Sequence, residues 1–146
     1  EKRKGVEDFI ELSKRMDSSY KFVLVGVKPE ELELLPDTVE GITRTKDVNE
    51  LAAYYSIAHA FLNPTYEDNY PTVNLESICC NTPVIAYDTG GNKEVASAPY
   101  MNIIKQGDID AMEAAIYEVS DKLPLIDTSI YDKEHFIDEM LKLYFK

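Results

Sequence analysis

Short apolar runs that stop abruptly at Gly, Asn or Pro recur along this chain, with amphipathic helical patterns between them. The runs are Lys21-Phe22-Val23-Leu24-Val25-Gly26, Ala60-Phe61-Leu62-Asn63 ahead of Pro64, Val84-Ile85-Ala86-Tyr87, and Asn102-Ile103-Ile104, with a weaker candidate at Val39-Glu40-Gly41-Ile42-Thr43. An unbroken apolar run of this length suits a strand covered on both faces, as in a parallel sheet. The first helix pattern places Val6, Phe9, Ile10 and Leu12 on one side, with Glu7, Asp8, Glu11 and Lys14 outside. Residues 47–58 carry Val48, Leu51, Ala52 and Tyr55 as a stripe behind Asp47, an N-cap residue. Further helices are predicted at 30–35, 73–80, 92–97, 108–122 and 133–145, with a loop at Pro124 before the last. The helix at 73–80 should end where Asn81 takes the left-handed position and Pro83 forbids continuation. Helix–strand alternation with short connections implies an α/β fold: a doubly wound parallel β-sheet with helices on both faces. No repeat or low-complexity linker divides the chain, so residues 1–146 read as a single domain.

Charge narrows the function. There are 15 basic and 27 acidic residues, for a net charge of −12. Binding to nucleic acid needs a basic footprint, so that class falls away. The distribution is uneven: residues 1–28 hold 7 bases and 5 acids, whereas residues 29–104 hold 3 and 12. The N-terminal edge is thus the locally basic part. No run approaches the ~18 apolar residues a membrane span needs. The two cysteines, Cys79 and Cys80, are adjacent and cannot staple distant segments; core packing is the expected role. His59 and His135 lie far apart and show no zinc spacing, and His59 is expected on a helix, away from the strand ends. The chain opens Glu1-Lys2-Arg3-Lys4-Gly5, without Met, and runs straight into a helical pattern, as a piece cut from a longer protein would.

In open parallel sheets, ligands bind beyond the carboxyl ends of the strands. Two strand ends here carry polar loops: residues 63–72 after the second strong run, and Asp88-Thr89-Gly90-Gly91-Asn92-Lys93-Glu94 after the third. Each feeds a helix N-terminus, where unpaired N–H groups attract anions. Thr72 is expected to cap the helix beginning at Val73, which puts Glu76 one turn inside. A carboxylate there suits paired sugar or ribose hydroxyls, or it serves only to complement the helix dipole. Glu67 and Asp68 face the same choice between ligand contact and a solvated loop. The Gly-Gly pair alone serves a tight turn as readily as a ligand.

The stretch NPTYEDNYPTVNLESICCNTPVIAYDTGG, residues 63–91, resembles the donor-binding half of retaining glycosyltransferases of family 4. The shared pattern is an acid, seven residues, a Glu, a small-residue helix, Thr-Pro-Val-Ile, then Gly-Gly-x-x-Glu. Here Asp68 and Glu76 have that spacing, followed by Thr82-Pro83-Val84-Ile85 and Gly90-Gly91-Asn92-Lys93-Glu94. The opening RKGVEDFIELSKRM and the strand FVLVGV are similar to the start of the same domain. Such enzymes place two Rossmann-like domains across a cleft. The resemblance implies that this chain is the nucleotide-sugar domain, lacking its first strand and the separate acceptor domain.

Residue by residue, it implies that Glu76 binds the donor ribose and that Asp68, with Glu67 beside it, faces the transferred sugar. Backbone groups around Asn69, Tyr70, Thr72 and Val73 would meet sugar hydroxyls and diphosphate. Lys4 would neutralise diphosphate charge, and Arg44, after the weak strand, would lie near the base. No cofactor and no metal are implied; the substrates are a nucleoside diphosphate sugar and a glycan or lipid-linked acceptor. The implied location is cytoplasmic, with the parent in peripheral contact with the inner face of the membrane. Departures occur where the family has Glu-Gly-Phe-Gly: Asp68-Asn69-Tyr70-Pro71 stands instead, with a shorter acid and one N–H donor fewer. The competing readings are a non-catalytic Rossmann-like nucleotide-binding or protein-interaction module and a sugar-nucleotide epimerase half.

Overall fold

The computed structural model describes residues 2–95, 100–119, 127, 129 and 132–144. The predicted helix ends at 97, 122 and 145 and the loop at Pro124 lie outside the described residues. Elsewhere the helix–strand alternation appears as predicted, as α1 (Val6–Arg15), β1 (Phe22–Val25), β2 (Val39–Ile42), α2 (Val48–Ile57), β3 (Phe61–Asn63), α3 (Thr72–Cys79), β4 (Val84–Tyr87), α4 (Asn92–Val95), β5 (Met101–Ile104), α5 (Ile109–Glu118) and α6 (Lys133–Tyr144). The helix expected near 30–35 is a 3₁₀ segment, Pro29–Leu34, and a second 3₁₀ turn, Lys2–Lys4, opens the fold.

Among the described residues all strand pairs are parallel, and they form two ladders. One joins β1 to β2, with Phe22 opposite Val39; the other has the order β3-β4-β5, with Phe61, Val84 and Met101 in register. Strand β4 shows why its sequence is apolar without interruption. Ile85 and Tyr87 point into a core built from Phe9, Leu12 and Met16 of α1 and its end, Phe22, Val39, and Met112, Ala115 and Ile116 of α5. Val84 and Ala86 point the other way, onto Ile78 of α3, Val95 and Met101. All four β4 residues are fully buried. Two covered faces make the fold doubly wound, as the sequence predicts.

Local chemistry sets the helix ends. Asp47 caps α2 as expected, its Oδ1 accepting from the N–H groups of Asn49 at 2.8 Å and Glu50 at 2.9 Å. Helix α3 starts differently from the expectation. Pro71, not Thr72, occupies the N-cap position with no side-chain cap, and Thr72 is the first helical residue. Proline suits this place because it has no N–H to lose, while its carbonyl accepts from Asn74 N–H at 3.0 Å. Asn81 has φ 61°, the left-handed residue predicted after α3. The buried face of α3 is Asn74, Ser77 and Ile78, which turns Cys79 to solvent and leaves Cys80 half-buried. The core-packing role expected for the two thiols therefore does not hold for Cys79. His59 likewise lies past the end of α2, in the link to β3, with its Nε2 3.1 Å from the Ile116 carbonyl oxygen.

Two buried devices join the loops that leave β3 and β4. The first is a carboxamide ladder: Asn63 donates to Asn74 Oδ1, Asn74 donates to Asn92 Oδ1, and Asn92 donates to the Tyr87 carbonyl, each at 2.8 Å. The second is backbone contact. Gly91 N–H donates to the Asn69 carbonyl at 2.9 Å. A Cβ on Gly90, which has φ +47°, would stand 1.5 Å from the Asp68 carbonyl oxygen. The Gly-Gly pair is thus a seat for the neighbouring loop.

Asp47→Ala should lower stability by about 1 kcal/mol through loss of both cap acceptors, read by urea denaturation. Gly90→Ala should cost at least ~2 kcal/mol, because the loop backbone must move. Gly26→Ala is the control: Gly26 also has positive φ but has open space around it, so its cost should be only ~1 kcal/mol. Equal losses for the two glycines would show that the close approach is not what Gly90 serves.

Candidate functional site

The basic opening and the acidic loop after β3 are built against each other. Gly5 has φ +66°, and a Cβ there would stand 1.9 Å from the Pro64 carbonyl oxygen, so glycine lets the first turn lie on the loop. The Arg3 carbonyl accepts from Tyr66 N–H at 2.8 Å and from Thr65 Oγ1 at 3.2 Å. In return, the Arg3 guanidinium donates to the Glu67 carbonyl at 3.2 Å. Lys4 Nζ then meets Asp68 Oδ2, also at 3.2 Å. The pair is partly exposed, and such pairs contribute only ~0–1 kcal/mol to stability. Its importance is positional, since it sets a cation beside the acid ahead of α3.

A polar cluster supports this loop from below. Asp8, in the first turn of α1, accepts on one oxygen from the phenols of Tyr66 and Tyr87, each at 2.7 Å. The two rings meet edge to face with centroids 5.5 Å apart. Burial, followed by the hydrogen bond to Asp8, pushes the Tyr87 phenol well above its ordinary value; for Tyr66 the hydrogen bond is the larger cause. Both phenols therefore act as donors at neutral pH. From above, Thr89 Oγ1 and Gln106 Nε2 both donate to the Tyr66 carbonyl, each at 2.9 Å. The loop backbone is held on several sides.

The structure joins Lys4 to Asp68 and sets most of the other predicted site residues along the loop after β3 and the start of α3. Lys4 and Asp68 are in contact, and the Glu67 side chain is exposed beside them. Asn69, Tyr70, Thr72 and Val73 present exposed side chains around the start of α3. Glu76 is exposed one turn into α3, and its Oε2 accepts from the Tyr55 phenol at 3.1 Å. Arg44 lies exposed just past β2, on the other ladder; among the described residues no hydrogen bond or ion pair joins it to the group. Lys93, in α4, pairs with Asp88 of the loop after β4 at 2.8 Å. Among the described residues, no three His, Cys, Asp or Glu side chains stand together as a metal site would require. A shallow concavity lies elsewhere, between Arg15 and the loop from Lys105 to Asp110, and the Arg15–Asp110 ion pair crosses it.

Sequence reasoning did not find Tyr55 as a site residue. It stands on the apolar stripe of α2, and nothing in its spacing separates it from a core residue. Asn63 and Asn74 were equally hidden, because a buried carboxamide is invisible until its partners are known.

The arrangement offers a cation, two carboxylates at different depths and a helix N-terminus on one polar edge. These are groups that hold a diphosphate and polyhydroxyl ligand. No helix among the described residues is long and apolar enough to cross a membrane. Residues 1–122 match the family model described as Glycosyl transferases group 1. Over 117 residues the chain is 29% identical to TuaC of Bacillus subtilis (strain 168), named as a teichuronic acid biosynthesis glycosyltransferase. That match covers 79% of this chain and 29% of TuaC. Sucrose-phosphate synthase from Thermosynechococcus elongatus has a similar fold, with a TM-score of 0.69 and 26% identity over 82% of this chain and 33% of the synthase. The chain therefore spans about a third of the length of each of these relatives. It belongs to the Glycosyl transferases group 1 family.

Proposed function

We propose that this chain is the donor-binding domain of a retaining glycosyltransferase. The parent would move a sugar from a nucleoside diphosphate sugar to a glycan or lipid-linked acceptor bound by a second domain. The observation that carries the reading is the contact between Lys4 and Asp68 just ahead of α3, with Glu76 one turn further in. Lys4 has three donors on one ammonium. It can therefore keep Asp68 in place while it meets a diphosphate oxygen. The N–H groups of Thr72 and Val73 at the start of α3 add to that anion site. Glu76 accepts from the ribose hydroxyls, and Asp68 with Glu67 faces the transferred sugar.

In the proposed step the acceptor oxygen bonds to the anomeric carbon as the bond from that carbon to the phosphate oxygen breaks. The leaving phosphate takes the acceptor proton from the same face, which retains configuration. Lys4 and the α3 N–H groups stabilise the charge that develops on the departing oxygen. In this reading they supply that neutralisation without a metal ion. The teichuronic acid role in the name of TuaC supports a growing polysaccharide as acceptor. A lipid-linked acceptor places the parent at the inner, cytoplasmic face of a membrane through peripheral contact.

The test is calorimetry of this chain with UDP, GDP and ADP and with sugar conjugates of each. One of them should bind saturably, and Glu76→Ala should weaken it by about 10- to 100-fold, ~1.4–2.8 kcal/mol. Binding that survives Glu76→Ala unchanged removes the ribose assignment. No binding to any of them overturns the donor-domain reading in favour of a non-catalytic protein-interaction module. Lys4→Met should reduce diphosphate affinity roughly tenfold and flatten its dependence on salt. The melting temperature should hardly move, since an exposed ion pair contributes little to stability.

A further inference from the structure

We propose that Tyr55 is a positioning residue for the donor nucleotide: its phenol holds one oxygen of Glu76 and leaves the other free to accept the ribose hydroxyls. The proposal rests on the reading of Glu76 as the ribose acceptor and adds a device that makes that carboxylate effective.

Glu76 is exposed on α3, and a Glu side chain loses up to ~2 kcal/mol of rotamer freedom when a ligand fixes it. Tyr55 removes part of that cost in advance, because its hydroxyl donates to Glu76 Oε2 at 3.1 Å in the free protein. A carboxylate has about four acceptor positions, so one phenol leaves room for two ribose hydroxyls.

Tyr55 is itself well anchored. It is 8% exposed, near the end of α2. Its ring meets Phe61 of β3 edge to face at 5.3 Å. Its carbonyl accepts from the buried Thr82 hydroxyl, so the Thr of the Thr-Pro-Val-Ile segment grips the backbone of the same residue. A rigid donor thus reaches a flexible acceptor. Burial, and then the charge of Glu76, raise the phenol above its ordinary value, so it is a donor at neutral pH. The neighbouring groups on α3 offer no substitute. Ser77 is committed to the Thr82 carbonyl, and Asn74 to the carboxamide ladder.

The experiment compares UDP, GDP and ADP with their 2′,3′-dideoxy counterparts, by calorimetry on the full chain. Tyr55→Phe keeps the ring, the contact with Phe61 and the backbone, and deletes only the donor. It should weaken the ribonucleoside diphosphate five- to tenfold, ~1.0–1.4 kcal/mol. It should leave the affinity for the dideoxy ligand unchanged. In a Glu76→Ala background, Tyr55→Phe should have no further effect on affinity. Equal weakening of both ligand types, or additive losses in the double variant, overturns the positioning role while the Glu76 assignment stands. Failure of the wild-type chain to bind any of the nucleotides, or to prefer ribose over dideoxyribose, overturns the ribose reading and the role of Tyr55 together.

Discussion

The carboxamide of Asn74 sits where the ends of β3 and β4 meet, fully buried, accepting from Asn63 and donating to Asn92. A buried amide left without partners costs ~1–3 kcal/mol for each unmade bond, so the three side chains hold one another in a single arrangement. That arrangement fixes how far the loop after β3 lies from the loop after β4. The glycine seat at Gly90 and Gly91 then becomes necessary, because the two backbones are closer than any Cβ would allow. Asp8 and the two phenols tie α1 into the same assembly. The polar edge is therefore held by buried hydrogen bonds and close backbone contacts although most of its side chains face water.

The electrostatics are local within an unfavourable whole. A domain with a net charge of −12 repels a free polyanion, but screening limits that repulsion to ~8–10 Å in physiological salt. Inside this range the relevant charges include Arg3 and Lys4 against Glu67 and Asp68, together with the N–H groups of α3. Arg3 is turned onto the Glu67 carbonyl, which leaves Lys4 beside Asp68. The basic opening has two separable roles. Arg3 fastens the loop while keeping its charge, and Lys4 adds a second cation directly beside Asp68.

The fold was legible where burial on both faces forces a simple pattern. Strand β4 must be apolar at every position, and an apolar run of four bounded by Pro83 and Asp88 leaves few alternatives. Asp47 was legible as a cap because its effect is local, reaching residues two and three positions on. The start of α3 was misread because Thr72 and Pro71 both satisfy local rules, and spacing alone does not choose between them. Cys79 was misplaced because helix phase, set by Asn74 and Ser77 facing inward, cannot be inferred when the buried face is polar. At the site, spacing identified Asp68 and Glu76 as a pair of interest. It could not show that Tyr55, 21 residues before Glu76, donates to it. Nor could it choose between a turn and a seat for Gly90-Gly91. Both of these depend on contacts between segments that the chain separates.

The seat at Gly90 and Gly91 also bears on how such a domain changes over time. With the Asp68 and Asn69 carbonyls pressed onto two glycines, the path of the loop backbone is set independently of most side chains it carries. Glu67 and Asn69 point outward from that fixed path, whereas the Tyr70 ring lies against Gly91. Exchanges at Glu67 and Asn69 leave the ladder and the seat untouched, so new ligand preferences are accessible without passing through an unstable intermediate. Exchanges at Gly90 or Asn74 do not have that freedom. Positions open to exchange and positions closed to it thus meet where the loop after β3 rests on the loop after β4, separated by which way each side chain faces.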